Sequence, residues 1–509
     1  MKIFKLFFSK ILIILVLFLL QIGLFIWPYF ALREYATLID QLSRLVGLIV
    51  FVAIVNKRET PEFKLPWIFL VLATPFFGLI FYGIFANPRM SKRYARLHER
   101  TEQLAAKHLA LSEDERSSVL ALAREKKDVF VYLESNSYLP TTDKNRITYL
   151  DGGERFLTEL LAELSRAEKF IFMEYFIIDR GKMWDSVHSV LAKKASEGVE
   201  VRFVYDDVGS LGNVRNGYYK TLRKEGILCH KFNPVRPQLS GIYNNRDHRK
   251  ITVVDGRVAF TGGVNIADEY INAVNRFGHW KDSAVKIEGA AVKSLTATFL
   301  QTYDVLTMCP SDYDKYLAAP PETFEDRGVV NFFGDGPKPY YKEQIGENDF
   351  INLISSAKRY VYISTPYLIT DHRLSTAIAG AAERGLDVRI ITPHVPDKKL
   401  VFNMTRSNYA FLQDKGVKIY EYTPGFIHAK MLVADDDIAF VGTINLDYRS
   451  LVHHYECGLV MYDTPCISDI KRDFDAVIAR SQLMDKNGFK MNKFSRLIRA
   501  LLQLFAPLL

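Results

Sequence analysis

The 509-residue sequence predicts an α/β protein with two homologous, βαβ-rich halves packed as a pseudo-dimer behind an N-terminal helical transmembrane anchor. Residues 167–173 and 197–202 resemble residues 357–363 and 384–389, and apolar runs fill the first ninety residues. Each repeat follows the order strand, helix, strand, which predicts mixed and largely parallel sheets. Equivalent surfaces of the two halves are expected to face each other near a pseudo-twofold axis.

The composition excludes several classes of protein. A chain with 49% hydrophobic and 24% charged residues is neither disordered nor collagen-like. Its four cysteines form no C-x-x-C pair, so neither a disulfide scaffold nor a zinc ribbon is expected. A formal net charge of +8 suits an anionic partner, which could be nucleic acid or an acidic membrane.

Residues 1–90 are predicted to form the transmembrane anchor. Two apolar runs, 11–30 and 66–86, are each long enough to span a bilayer core of about 30 Å. Residues 38–55 form a possible extra segment, although Asp40 and Arg44 are costly in lipid. A cleaved signal peptide is the alternative for the first run, but that run is long and no clear small-x-small cleavage site follows it.

Positive charges that follow the second run favour a multi-pass protein of the cell membrane with its large C-terminal region in the cytoplasm. The same rule favours two full spans over three, because the N-terminus also carries lysines.

Four further regions complete the predicted organisation. Residues 91–128 are charged, lack glycine and proline up to residue 125, and read as a connector helix. The first repeat half covers residues 129–325 and the second covers residues 326–487. Residues 488–509 read as a basic amphipathic helix, which could lie on an anionic membrane or pack its apolar face on the protein body.

Both halves contain the pattern His-x-Lys-x4-Asp-x6-Gly-[Gly/Thr]-x-Asn. The candidate residues are His248, Lys250, Asp255, Gly263 and Asn265 in the first half, and His428, Lys430, Asp435, Thr443 and Asn445 in the second. One His-x-Lys-x4-Asp arises by chance in roughly a few per hundred chains of this length. Two copies with matching tails inside matching repeats are therefore not accidental.

The spacing suggests how the motif works. A His and a Lys two residues apart on a strand point to the same face, so both can contact one substrate oxygen. Asp255 and Asp435 follow across an extended run of about 23 Å, which makes them mainly structural turn residues.

Each imidazole then needs another partner, and Asp282 and Glu456 are the candidates. A carboxylate on one ring nitrogen fixes the tautomer and leaves the other nitrogen free to attack. A lone buried histidine would more often be structural, but buried lysines are rare without a role. No metal site is expected from His279, His453 and His454, since no fixed ligand spacing recurs.

The paired motifs resemble the phospholipase D superfamily, and their context resembles its bacterial cardiolipin synthases. The matching stretches are residues 245–251 and 260–270 in the first half and 365–367, 422–430, 442–450 and 506–509 in the second. The chain departs from that pattern at Asp247, where Asn is commoner, and at His453-His454-Tyr455-Glu456, which replaces Asn-x-Glu. These departures affect fine substrate choice rather than activity.

The resemblance implies a membrane-bound phosphatidyltransferase without cofactor or metal. It would convert two phosphatidylglycerols into cardiolipin and glycerol through a phosphohistidine, with His248 as nucleophile and His428 as acid/base, or the reverse. Lys250, Lys430, Asn265 and Asn445 would hold the phosphoryl oxygens, with Gly263 and Thr443 beside them.

The implied partners are an anionic phospholipid membrane and phosphatidylglycerol, not nucleic acid, and the oligomeric state is left open. Hydrolysis to phosphatidic acid, or transfer to another alcohol such as serine or ethanolamine, is the close alternative. A nuclease of the superfamily or an inert membrane scaffold is less expected.

Overall fold

Two compact units make up the chain in the computed structural model. One contains Met1–Met90, Asn233–Asn245 and Lys493–Leu509, and the other contains Ser91–Phe232 and Arg246–Asn492. The structure describes residues 33–86, 92–235, 244–318, 320–338, 340–485 and 502–508, together with positions 19, 23 and 27.

The first unit begins, in its described part, with a 3-10 turn at Arg33–Tyr35 and helix α1 (Ala36–Val55). Within α1, Thr37–Val55 is the one described stretch that is long and apolar enough to cross a membrane. Residues 38–55, predicted as a possible extra membrane segment, therefore form a continuous helix. Its two charges are paired, because Arg44 Nε lies 2.8 Å from Asp40 Oδ2 one turn earlier.

The predicted span over residues 66–86 is wrong as a single helix. The run forms two short helices, α2 (Pro61–Ala73) and α3 (Pro75–Phe85). Pro75 disfavours a helical conformation at Thr74, whose ψ is 72°. A side chain at Gly78 would collide with the backbone of Leu70, so α3 folds back against α2. Apart from positions 19, 23 and 27, the predicted span 11–30 lies outside the described residues.

The C-terminal segment 488–509 is described only over residues 502–508. A 3-10 turn covers Ala506–Leu508, and the ring of Phe505 lies edge-on to Phe69 of α2 with centroids 5.8 Å apart. This end of the segment therefore packs on α2 within the first unit. The basic part that was predicted to be amphipathic lies outside the described residues.

The second unit begins with several helices where one connector helix was predicted over residues 91–128. They are α4 (Lys92–Leu109), α5 (Glu113–Leu122), a 3-10 turn (Arg124–Lys126) and α6 (Lys127–Ser137). The helix is interrupted before α5 because Ser112 and Glu115 form a capping box that starts a new helix.

A seven-stranded sheet forms the first repeat half. The strands up to residue 288 are β1 (Thr141–Thr142), β2 (Arg146–Leu150), β3 (Phe170–Tyr175), β4 (Glu200–Asp206), β5 (Leu228–Phe232), β6 (Ile251–Val254), β7 (Val258–Gly262), β8 (His279–Lys281) and β9 (Ala284–Glu288). The sheet order is β2-β9-β7-β6-β3-β4-β5. The helices are α7 (Gly153–Ser165), α8 (Lys182–Ser196), α9 (Tyr218–Lys224), α10 (Val292–Thr307) and α11 (Tyr313–Leu317).

A nine-stranded sheet forms the second half. Its region contains β10 (Val329–Asp335), β11 (Tyr360–Ser364), β12 (Leu368–Ile369), β13 (Asp387–Pro393), β14 (Lys418–Tyr422), β15 (Gly425–Ile427), β16 (Met431–Ala434), β17 (Ile438–Gly442), β18 (Leu446–Asp447), β19 (Glu456–Tyr462) and β20 (Ser481–Leu483). The sheet order is β1-β10-β19-β17-β16-β11-β13-β14-β20. The helices are α12 (Ile345–Ser356), α13 (His372–Glu383), α14 (Lys399–Ser407), α15 (Tyr409–Asp414), α16 (Ile467–Ala479) and a π-helical turn at Arg449–His453.

The strand pairings confirm the internal repeat. In the first half, β3–β4 and β4–β5 are parallel pairs, and the series β3–β6–β7–β9 is antiparallel. In the second half, β11–β13 and β13–β14 are parallel pairs, and the series β11–β16–β17–β19 is antiparallel. The sheets are mixed as predicted. They are not largely parallel, because the strands that follow each His-x-Lys pair return as antiparallel neighbours.

The predicted boundary at residue 129 needs correction. Thr141 and Thr142 of β1 pair antiparallel with Asn331 and Val330 of β10, in the sheet of the second half. Phe130, ahead of them in the chain, is buried in the same core as Val329 and Phe333. The second half therefore includes a segment that precedes the first half in the chain.

A hydrophobic core joins the two sheets. Phe172 and Val253 of the first half share one buried cluster with Tyr362, Val433 and Leu459 of the second. The two halves therefore pack as the predicted pseudo-dimer.

Candidate active site

The two motif histidines lie in extended segments just before β6 and β16, rather than on those strands as predicted. Each segment pairs with the opposite half of the repeat. The backbone N–H of His248 donates to the carbonyl of Tyr455 (2.9 Å), and that of His428 donates to the carbonyl of Lys281 (2.7 Å). The residue that follows each acceptor is a carboxylate, so the pairing brings an acid to each imidazole.

Both imidazoles are held by carboxylates from the other half. His248 Nδ1 lies 2.9 Å from both oxygens of Glu456, and His428 Nδ1 lies 2.7 Å from Asp282 Oδ2. All four side chains are buried. The two predicted carboxylate partners are thus brought to the histidines, one to each ring.

Thr443 and Gly263 hold those carboxylates in different ways. The Thr443 hydroxyl donates to Glu456 Oε2, and the backbone N–H of Cys457 donates to Thr443 Oγ1 (2.9 Å). A Cβ at Gly263 would collide with Asp282 Oδ1. The backbone N–H of Gly263 already donates to the carbonyl of Ser283 (2.9 Å). Gly263 and Thr443 were predicted to bind substrate, and in the structure their contacts also position the two carboxylates.

Lys250 and Lys430 are fully buried beside their histidines. Each ammonium donates one hydrogen bond to the backbone carbonyl of its own histidine, His248 or His428. An ammonium has three N–H groups, so within the described part of the chain two remain on each for another acceptor. Burial lowers the pKa of Lys250 to about 8 and that of Lys430 to about 7.

Burial also sets the charge of the two rings. It lowers the pKa of His248 well below its ordinary value, and it lowers the pKa of His428 to about 4. Burial would raise the pKa of Glu456 and Asp282, but the hydrogen-bonded rings outweigh it and leave both pKa values lowered. At neutral pH each carboxylate is therefore ionised, and each neutral ring donates Nδ1–H and keeps a lone pair on Nε2.

The two motifs form one site because each imidazole is held by a carboxylate of the other half, and their charges also interact. The charge of Lys250 lowers the pKa of both His428 and Lys430, while the charge of Glu456 raises that of Lys430. When both lysines are protonated, the positive charges of the two ammonium groups balance the negative charges of the two carboxylates. An added phosphodiester anion would find unused lysine N–H groups and would favour the charged form of both lysines.

Asp255 and Asp435, which were retained as site candidates, lie at the other end of the motif strands. Both have positive φ, 56° and 54°, in the tight turns that join β6 to β7 and β16 to β17. Asp255 accepts hydrogen bonds from the backbone N–H groups of residues 168, 169 and 170 at 2.8 Å, and Asp435 repeats this with residues 358, 359 and 360. They cap the starts of β3 and β11, which confirms their structural interpretation and removes them from the site.

The two motif asparagines differ. Asn265 Oδ1 accepts from the backbone N–H of Ile177 (3.0 Å), and its Nδ2 donates to Tyr270 (2.6 Å), whose ring lies against His428. Asn445 Oδ1 is buried and has no hydrogen-bond partner among the described residues. Asn265 therefore fixes the wall behind His428, and Asn445 is the better candidate for substrate contact.

Asp247, the departure from the usual Asn, belongs to a buried ion-pair network. Its Oδ1 accepts from Arg249 Nε (3.1 Å), and Arg249 Nη2 lies 2.9 Å from Glu174 Oε1. This arrangement gives the carboxylate a structural partner, so the substitution supports the segment that carries His248.

Sequence reasoning gave Trp280 no role and placed His454 beside the site at best, yet both rings belong to the site. Trp280 and His454 each precede a carboxylate by two positions, in Trp-Lys-Asp and His-Tyr-Glu. The Trp280 ring lies 5.3 Å from that of His428, and the His454 ring lies 5.5 Å from that of His248. Their matched spacing to Asp282 and Glu456 was the signal that could have found them.

Comparisons with known proteins identify the family of the chain. The family described as "Cardiolipin synthase, PLD-like domain" matches residues 160–301 and 350–478. A cardiolipin synthase of Geobacillus kaustophilus is 34% identical over 91% of this chain and 92% of its own. An uncharacterised protein of Streptococcus mutans is 40% identical over 91% of this chain and all of its own.

The fold also resembles a solved structure. The phosphatidylserine synthase of Haemophilus influenzae has a TM-score of 0.57 and 14% identity, and the match covers 76% of this chain and 98% of that one. The chain belongs to the cardiolipin synthase family of phospholipase D-like proteins and is a phosphatidyltransferase of the phospholipase D type.

Proposed function

We propose that the protein transfers a phosphatidyl group from one phosphatidylglycerol to another, which yields cardiolipin and glycerol. The observation that carries this proposal is the pair of crossed dyads, His248 with Glu456 and His428 with Asp282, in one buried site. Double displacement at phosphorus needs one nucleophile and one proton carrier, and the site contains two imidazoles that are each held through Nδ1 by a carboxylate.

In the first half-reaction, Nε2 of His248 attacks the phosphorus of the donor lipid, and the bond from phosphorus to the glycerol headgroup oxygen breaks. His428 gives its proton to the departing oxygen, so glycerol leaves as a neutral alcohol. The negative phosphate favours protonated His428 despite the low pKa of the free site. Lys250 and Lys430 stabilise the charge on the non-bridging oxygens.

In the second half-reaction, neutral His428 accepts the proton of a headgroup hydroxyl from a second phosphatidylglycerol. The hydroxyl oxygen attacks phosphorus, the bond to His248 Nε2 breaks, and cardiolipin forms. His248 and His428 return to their starting states, so the cycle balances without cofactor or metal. The reverse assignment of nucleophile and acid/base is the alternative that labelling must distinguish.

The membrane setting follows from the substrate and from the N-terminal unit. Helix α1 can reach across a bilayer core, and the net charge of +8 favours anionic lipid. We infer an enzyme anchored to the cell membrane through its N-terminal helices, with the catalytic unit on the cytoplasmic side.

Product analysis tests the proposed function. The purified full chain in phosphatidylglycerol vesicles should release cardiolipin and glycerol in equal amounts, and His248→Ala should release neither. Parallel vesicle reactions with added serine or ethanolamine, and a measurement of phosphatidic acid, separate the alternative acceptors. Phosphatidic acid or another phosphatidyl alcohol as the main product, without cardiolipin, would overturn the proposal.

A further inference from the structure

A third potential metal ligand lies beside the His248 dyad. One ligand atom from each of His248, His454 and Glu456 lies within 4.8 Å of the others. The ring of His454 is about nine-tenths buried, and its Nδ1 lies 3.8 Å from Glu456 Oε1. Among the described residues this nitrogen has no hydrogen-bond partner. The nitrogen therefore faces the carboxylate from just beyond hydrogen-bond distance, which is unusual for a buried polar atom.

We propose that His248, His454 and Glu456 form an inhibitory Zn²⁺ site. Two imidazole nitrogens and one carboxylate oxygen suit Zn²⁺, which leaves a fourth position for water or a phosphate oxygen. Tetrahedral coordination at about 2.0 Å needs ligand atoms roughly 3.3 Å apart. The separations to Glu456 are 2.9 Å from His248 and 3.8 Å from His454, on either side of that value.

The tautomer of His248 explains why the metal would inhibit. In the working site Nδ1 carries the proton and donates it to Glu456, so Nε2 has the lone pair that attacks phosphorus. A metal on Nδ1 binds the lone pair of that nitrogen in the other tautomer, in which the proton has moved from Nδ1 to Nε2. The ring stays neutral but can no longer attack. This inhibition rests on the proposed function, whereas metal binding itself does not.

The other half provides an internal comparison. At the equivalent place beside His428 and Asp282 stands Trp280, whose indole nitrogen carries a hydrogen and has no lone pair for a metal. The His428 dyad therefore lacks a third ligand at this position. The site should bind one Zn²⁺ per chain, on the His248 side.

Calorimetric titration of Zn²⁺ into the purified full chain tests the binding, and the visible absorption of Co²⁺ reports tetrahedral coordination. We compare the wild type with His454→Asn and with the matched control His453→Asn, which changes the neighbouring imidazole outside the trio. The wild type and the control should bind one Zn²⁺. His454→Asn should bind at least about tenfold more weakly, as expected on loss of one ligand.

Activity at saturating Zn²⁺ is then expressed relative to each protein's own zinc-free rate. The wild type and His453→Asn should lose most of their activity and regain it with EDTA, and His454→Asn should be resistant. Equal binding by His454→Asn and the wild type, or no Zn²⁺ binding by the wild type, would overturn the site. If the wild type binds Zn²⁺ but makes no cardiolipin, the proposed function fails and the metal site stands.

Discussion

At the scale of single residues, Gly263 and Thr443 occupy equivalent positions in the repeat but contact acidic side chains of different length. Glu456 reaches far enough to accept the Thr443 hydroxyl, whereas the shorter Asp282 fills the space that a side chain at Gly263 would take. The tail of the motif therefore positions the two acids. The sequence alone could not reveal this, because each acid meets its motif tail through strand pairing within the same half, β7 with β9 and β17 with β19.

Gly263→Ala should reduce the turnover number by about 10²-fold or more, because its Cβ displaces Asp282 from His428. Gly380→Ala is the matched control, since no atom lies within 4 Å of its added Cβ and the residue lies in α13. The control should keep full activity and gain up to about 1 kcal/mol of stability. Turnover and melting temperature of both variants give the answer, and full activity in Gly263→Ala would contradict the described contact.

Asp255→Asn should destabilise the fold without loss of turnover in the folded enzyme. Asparagine tolerates positive φ but offers one acceptor oxygen where Asp255 offers two, so the cost is about 1–2 kcal/mol. The melting temperature and the turnover number of Asp255→Asn, each compared with the wild type, test this prediction. An unchanged melting temperature with activity as low as that of His248→Ala would mean that Asp255 takes part in catalysis.

At the scale of elements, the repeated patterns predicted the βαβ units closely. The helix expected between the repeated segments 167–173 and 197–202 spans Lys182–Ser196, and the one expected between 357–363 and 384–389 spans His372–Glu383. Errors arose where local signals interrupt a continuous pattern. Pro75 divides the second apolar run, and the capping box of Ser112 divides the connector. The composition of a long segment does not show a single interrupting residue, so one helix was predicted over residues 66–86 and one over residues 91–128.

Ser112→Ala tests the second interruption. Loss of the capping hydroxyl should lower the free energy of unfolding by about 0.5–2 kcal/mol, and Ser112→Asp should restore most of it because aspartate also accepts from Glu115 N–H. Denaturant unfolding of the three proteins provides the comparison. If Ser112→Ala were as stable as the wild type, the break before α5 would not depend on the cap.

At the scale of the whole molecule, the site exists only because the halves exchange partners. The sequence identified both histidines, both lysines and both acids, but it could not predict which acid serves which ring. That choice depends on backbone pairing between distant segments, such as β8 with β15. The same long-range packing places residues 119–142 in the second half. It also gives Asn265 a structural role, whereas Asn445 Oδ1 has no hydrogen-bond partner among the described residues.

The buried site should also make stability depend on pH. The pKa of His428 is about 4 in the folded protein against an ordinary 6.5, so between these values the unfolded chain binds more protons. Unfolding free energy should therefore fall as the pH drops from 6.5 to 4, by on the order of 3 kcal/mol from this group. His428→Asn should show a shallower slope in melting temperature against pH, and an unchanged slope would contradict the buried neutral ring.

The most direct test of the account is mass spectrometry of acid-quenched enzyme after brief mixing with phosphatidylglycerol. The account predicts a phosphatidyl adduct on the peptide that contains His248, formed and consumed at the rate of cardiolipin synthesis. An adduct on His428 would reverse the two roles. Cardiolipin synthesis without any histidine adduct would contradict double displacement itself.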